Sequence, residues 1–83
     1  MNSSYVGMEA AKSSALMRWQ TMLRDEVALL AMPGAHHKAL LRQAHALHLD
    51  QVIDSDGLSD LLEFADAALA FAVESMLDIK TDE

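Results

Sequence analysis

The sequence predicts an all-α protein: three helices in an antiparallel, up-down-up arrangement, completed by homodimerisation. Three observations predict it. Apolar residues make up 52% of the 83-residue chain, and Ala, Leu and Met supply most of them. These are strong helix formers, whereas the β-branched residues that favour strands are few. Apolar side chains recur at three- and four-residue steps over long stretches. Boundary signals stand at Pro33-Gly34 and at Asp54.

The chain divides into an N-terminal arm over 1–7, a single helical domain over 8–80 and a frayed end over 81–83. The first helix is expected over about 8–31. Leu16, Trp19, Leu23, Val27 and Leu30 share one face, with Ala15, Met22 and Leu29 beside them. Ser14, Arg18, Thr21 and Asp25 lie opposite. Gly7 weakens an earlier start capped by Ser3 or Ser4. Pro33 disfavours helical geometry at Met32, so the helix is expected to end there.

The second helix is expected over about 35–50. Leu40, Leu41, Ala44 and Leu47 form its buried stripe, while Lys38, Arg42 and Gln43 face water.

The third helix is expected over about 55–79, and its start is the best-specified boundary in the chain. Asp54 is placed to cap it. Ile53 before the cap and Leu58 in the second turn form a hydrophobic staple, which fixes the angle at which the chain enters the helix. Asp56 suits the positive end of the helix dipole. The core stripe runs through Leu58, Leu61, Leu62, Ala65, Ala68, Leu69, Ala72, Met76 and Ile79.

The third helix also carries a second apolar ridge. Phe64 and Phe71 stand seven residues apart, about two turns, to one side of the core stripe. Ala67 and Ala68 lie between them and would let another helix approach closely. A wide core face could absorb this ridge, but a chain of this size often needs a partner to complete its core. Cysteine is absent, so disulfides and thiolate metal sites are excluded. Leu61, Phe64, Ala67, Ala68 and Phe71 are therefore the candidate interface.

Charge is unevenly distributed. Residues 1–49 carry five basic and three acidic side chains, whereas residues 50–83 carry ten acidic ones and only Lys80. The formal net charge is −7. An acidic C-terminal third repels a phosphate backbone, which argues against nucleic acid. The basic residues Lys12, Arg18, Arg24, Lys38 and Arg42 sustain an alternative reading as a nucleic-acid-associated regulator. The acidic face of the third helix (Asp60, Glu63, Glu74 and Asp78) reads either as a solvated face or as a docking surface for a basic protein. No apolar run is long enough to span a membrane, and no secretory leader is evident, so a cytoplasmic location is expected.

Two clusters have the residue types of metal sites. His45 and His48 are three apart on one helix, with Asp50 as a possible third ligand; His36 and His37 complete the four histidines. Convergence of neutral imidazoles on one point could hold a divalent metal, and histidine could also sense pH. The blander assignment puts His37 and His48 at the core edge and leaves His36 and His45 solvated. Asp54, Asp56, Gly57 and Glu63 partly match a calcium loop, but Val52 stands where the first carboxylate is required. Helix capping accounts for Asp54 and Asp56 better.

No catalytic grouping stands out, and no cofactor is expected. The function expected is a small, non-enzymatic, regulatory interaction module of the adaptor, anti-activator, antitoxin or chaperone type. It would bind itself and an unidentified protein, through the flank of the third helix or the Met-rich edge of the first (Met8, Met17).

Overall fold

The computed structural model describes residues 3–81 of the chain, with side chains described over 10–77. Among the described residues there are four helices and no strand: α1 (Ser3–Leu23), α2 (Glu26–Ala31), α3 (Pro33–Leu49) and α4 (Ser55–Thr81). Residues 82–83 of the expected frayed end and the side chains of Met8, Asp78 and Ile79 lie outside what is described.

The expected first helix is two helices. Asp25 interrupts it, with φ −77° and ψ 88°, and its Oδ1 accepts the Ala28 N–H at 3.2 Å as the N-cap of α2. A short polar side chain competes for backbone N–H groups and favours a cap over a helix interior. The break shifts the phase of the apolar stripe. Leu29 is buried, whereas Val27 is 82% exposed and Leu30 41%. At its other end α1 starts at Ser3, so residues 3–7 of the expected arm are helical. Gly7 costs about 1 kcal/mol within a helix and does not break it.

Pro33-Gly34 opens α3 instead of forming a loop before it. Met32 is both C-cap of α2 and N-cap of α3, donating its N–H to Ala28 O and accepting from His36 N through its carbonyl. Proline at the first helical position loses no hydrogen bond, because that N–H has no partner inside the helix.

The end of α3 is a Schellman motif built without glycine. Val52 N donates to Leu47 O and Gln51 N to His48 O, at 2.9 and 3.0 Å. Gln51 takes the left-handed conformation, φ 63°, that this motif requires. Val52 then packs on the core that includes Leu47, the apolar contact that usually accompanies the motif.

α4 begins at Ser55, directly after Asp54. Asp54 Oδ1 accepts the Gly57 N–H at 2.8 Å, and Asp54 O accepts the Leu58 N–H. Ile53 and Leu58 both pack on the core. Gly57 is needed here for space: a Cβ would lie 3.0 Å from Ile53 Cβ and 3.3 Å from Asp54 Oδ1. Because α4 begins at Ser55, Asp56 and Glu63 belong to helix rather than to a calcium loop.

The core gathers Trp19 from α1, Leu40, Ala44 and Leu47 from α3, and Leu61 and Ala65 from α4. Trp19 is 2% exposed. Burying an aromatic of that size contributes on the order of 4–6 kcal/mol before entropy is counted. The α3–α4 pair is an antiparallel hairpin, closed at one end by residues 50–54 and tied further along by His37 and Asp66.

The molecule is elongated. Its radius of gyration is 15.7 Å, against about 12 Å for a compact chain of this length. Its accessible surface is 6089 Å², against about 4,900 Å² for a compact monomer of this mass.

Candidate functional site

A pair of exposed aromatic side chains lies on α4. The side of α4 that holds Leu61, Ala65 and Ala72 faces the interior, and all three are buried. The helical repeat of 3.6 residues then directs Phe64 and Phe71 to one flank, about 80–100° from that face. Phe64 is 53% exposed and Phe71 47%. Ala67 between them is exposed and Ala68 half-buried. Two rings about 10 Å apart along the axis, with only methyl groups between, form an open apolar strip.

Leu61 does not belong to that strip. It is buried in the core with Trp19 and Leu40, and so is not part of the exposed surface. The available strip is Phe64, Ala67, Ala68 and Phe71.

The charges around the strip share one sign. Asp60 lies one turn before Phe64, Glu63 lies beside it, and Glu74 follows Phe71; all three are exposed. Asp66, on the other flank of α4, is exposed too, and its Oδ1 meets His37 Nε2 at 2.8 Å. No basic side chain occurs between Asp50 and Ile79. Further along α4, Val73, Met76 and Leu77 are about half exposed. Met76 lies on the continuation of the core stripe, yet it remains substantially exposed.

The histidines divide into separate environments. His48 Nδ1 meets Ile53 O at 3.2 Å, which ties the end of α3 to the approach to α4. His45 and Asp50 are exposed. Among the described residues no three His, Cys, Asp or Glu side chains are grouped closely enough to hold a metal ion. His37 is half-buried at the α3–α4 seam, near the edge position expected for it.

His36 departs from expectation. It is 7% exposed, and its Nε2 has no hydrogen-bond partner among the described residues. The signal was present in the spacing. His36 stands four residues before Leu40 and eight before Ala44, on the face those residues bury. A helix started at Ala35 would leave His36 in a loose first turn; the proline start at Pro33 instead sets it firmly within the helix.

The basic residues of the first half are on the surface. Arg18, Arg24, Lys38 and Arg42 are exposed and Lys12 is half-buried. A groove of about 360 Å³ between α1 and α3 is walled by Ala15, Met22 and Ala46, with Arg18 and Asp50 at its margin. Met17 is 63% exposed on the outer side of α1. Among the described residues, no helix is long and apolar enough to cross a membrane.

No family model matches this chain, and neither the curated proteins nor the solved structures include a significant match to it.

Proposed function

We infer that this protein is a small, non-enzymatic interaction module of regulatory type, and that its working surface is the Phe64–Phe71 flank of α4. The observation that carries this reading is the pair of half-exposed aromatic rings on one flank of a helix whose neighbouring face holds the buried Leu61, Ala65 and Ala72. Large aromatic side chains are the commonest anchors of protein interfaces.

The covering chain is either a second copy, as the sequence leads one to expect, or a different protein. A photo-crosslinking side chain placed at Phe64 in the native cell tests the reading in both forms. A discrete adduct is expected, at twice the chain's mass for a homodimer and at another mass for a different partner. The same group at Arg42, on the outer face of α3, should give no discrete adduct. Absence of any adduct from position 64 would overturn the reading.

A further inference from the structure

We propose that the Phe64–Phe71 flank of α4 receives a basic amphipathic helix of another protein, and not the α4 of a second copy. This rests on the reading of that flank as the working surface and adds the chemistry of its occupant.

Phe64 and Phe71 are spaced to take apolar residues of a helix laid along them, with the small side chains of Ala67 and Ala68 allowing close approach. On α4 itself the exposed charges bordering this strip, Asp60, Glu63 and Glu74, are all acidic. An occupant with Lys or Arg beside its apolar stripe meets opposite charge along its length, which speeds encounter and selects partners.

A second α4 meets like charge instead. An antiparallel pair centred between Ala67 and Ala68 brings Asp60 of each copy close to Glu74 of the other. A parallel pair sets Asp60 beside Asp60. Both arrangements concentrate carboxylates around an apolar seam that excludes water, where their repulsion is least screened.

The test uses the full chain and three synthetic peptides of about 18 residues, long enough to form a helix on docking. One is an amphipathic Leu/Lys helix, one has the same composition with its apolar stripe scrambled, and one is an amphipathic Leu/Glu helix. Fluorescence anisotropy reads binding at about 0.05 and 0.3 M salt, where screening differs strongly. The amphipathic Leu/Lys peptide should bind at least ~10-fold more tightly than either of the others, about 1.4 kcal/mol. Its affinity should fall as salt rises. Phe71→Asp and Phe64→Ser should each weaken it ~10-fold, with helicity by circular dichroism unchanged. Asp60→Lys with Glu74→Lys should move the preference towards the Leu/Glu peptide.

Equal binding of the scrambled peptide would reduce the effect to bare charge and overturn the proposal. So would binding that survives both phenylalanine substitutions. If the peptides fail but light scattering shows a dimer that Phe71→Asp dissociates, the flank is functional and its occupant is a second copy. In that case this proposal falls while the functional reading stands. A peptide failure together with a monomer and no photo-crosslink removes both.

Discussion

The indole Nε1–H of Trp19 donates to the carbonyl oxygen of Leu40 at 2.9 Å, in the buried interior and across 21 residues of sequence. The bond fixes α1 against α3 at a defined register. Leu40 lies in the middle of α3, where its carbonyl also accepts the helix's own N–H four residues on. The indole therefore uses the second lone pair of an oxygen that is already satisfied.

That arrangement separates two substitutions at position 19. Trp19→Phe keeps most of the ring and leaves no orphaned carbonyl, so it should cost about 1–2 kcal/mol for the lost hydrogen bond and the smaller ring. Trp19→Ala opens a cavity where α1, α3 and α4 meet and should cost about 3–5 kcal/mol. Urea unfolding followed by circular dichroism measures both. Equal losses for the two variants would show that the bond to Leu40 and the ring's volume are not separable in this way.

Two glycines predict opposite signs. Gly34 sits in the first turn of α3, and a Cβ added there would meet nothing within 4 Å. Gly34→Ala should therefore stabilise by about 0.4–1 kcal/mol, through lower entropy of the unfolded chain and better helix propensity. Gly57→Ala presses a methyl against Ile53 Cβ and the capping carboxylate of Asp54. Neither neighbour is a free side-chain end: Ile53 Cβ is bonded to the backbone, and Asp54 Oδ1 is held by the Gly57 N–H. Overpacking of this kind costs about 1–3 kcal/mol and outweighs the propensity gain. Thermal melting should show Gly34→Ala rising and Gly57→Ala falling; a rise for both would mean the α4 cap yields without cost.

The turn chemistry explains how much of this fold could be read in advance. The boundary at Asp54 was legible because its determinants are adjacent in sequence: Ile53, Asp54, Gly57 and Leu58 all take part in it. The stripe of α3 was legible because Leu40, Ala44 and Leu47 are apolar and evenly spaced. The break at Asp25 was not, since an aspartate on the polar side of an amphipathic helix is ordinary. Whether it caps a new helix depends on whether Val27 or Leu29 finds a surface to pack against, which is a tertiary matter. The exposure of Phe64 and Phe71 was half legible. Their ridge shows in the repeat; Leu61 fits both the core stripe and the candidate interface, and its packing with Trp19 and Leu40 settles it in the interior.

The left-handed residue at the end of α3 escaped sequence reading because glutamine is a poor signal for it. Gln51 holds φ 63° in a position where glycine is usual, at a cost of about 1 kcal/mol for its Cβ. Gln51 is exposed, so little packing is lost by removing its side chain. Gln51→Gly should stabilise by about 0.5–1 kcal/mol, the relief of strain exceeding the entropy glycine adds to the unfolded state. Gln51→Val, β-branched and poorly suited to this geometry, should destabilise by at least as much. Chemical denaturation of the pair checks the sign of each; a destabilising glycine would show that the side chain, not the backbone, holds this turn.

His36 offers the most direct test of an interior polar group. Its Nε2 is buried without a partner among the described residues, and an unsatisfied buried polar atom costs about 1–3 kcal/mol. The residue stands on the core face of α3, four positions before Leu40. Replacement by an apolar side chain of similar size removes the desolvation cost and keeps the volume filled. His36→Leu should therefore stabilise by about 1–2 kcal/mol, seen as a higher urea midpoint at unchanged slope. His36→Asn keeps a polar group, shrinks the side chain and should destabilise by about 1–3 kcal/mol. If leucine is the worse of the two, then the imidazole makes a stabilising contribution that its missing hydrogen bond does not reveal.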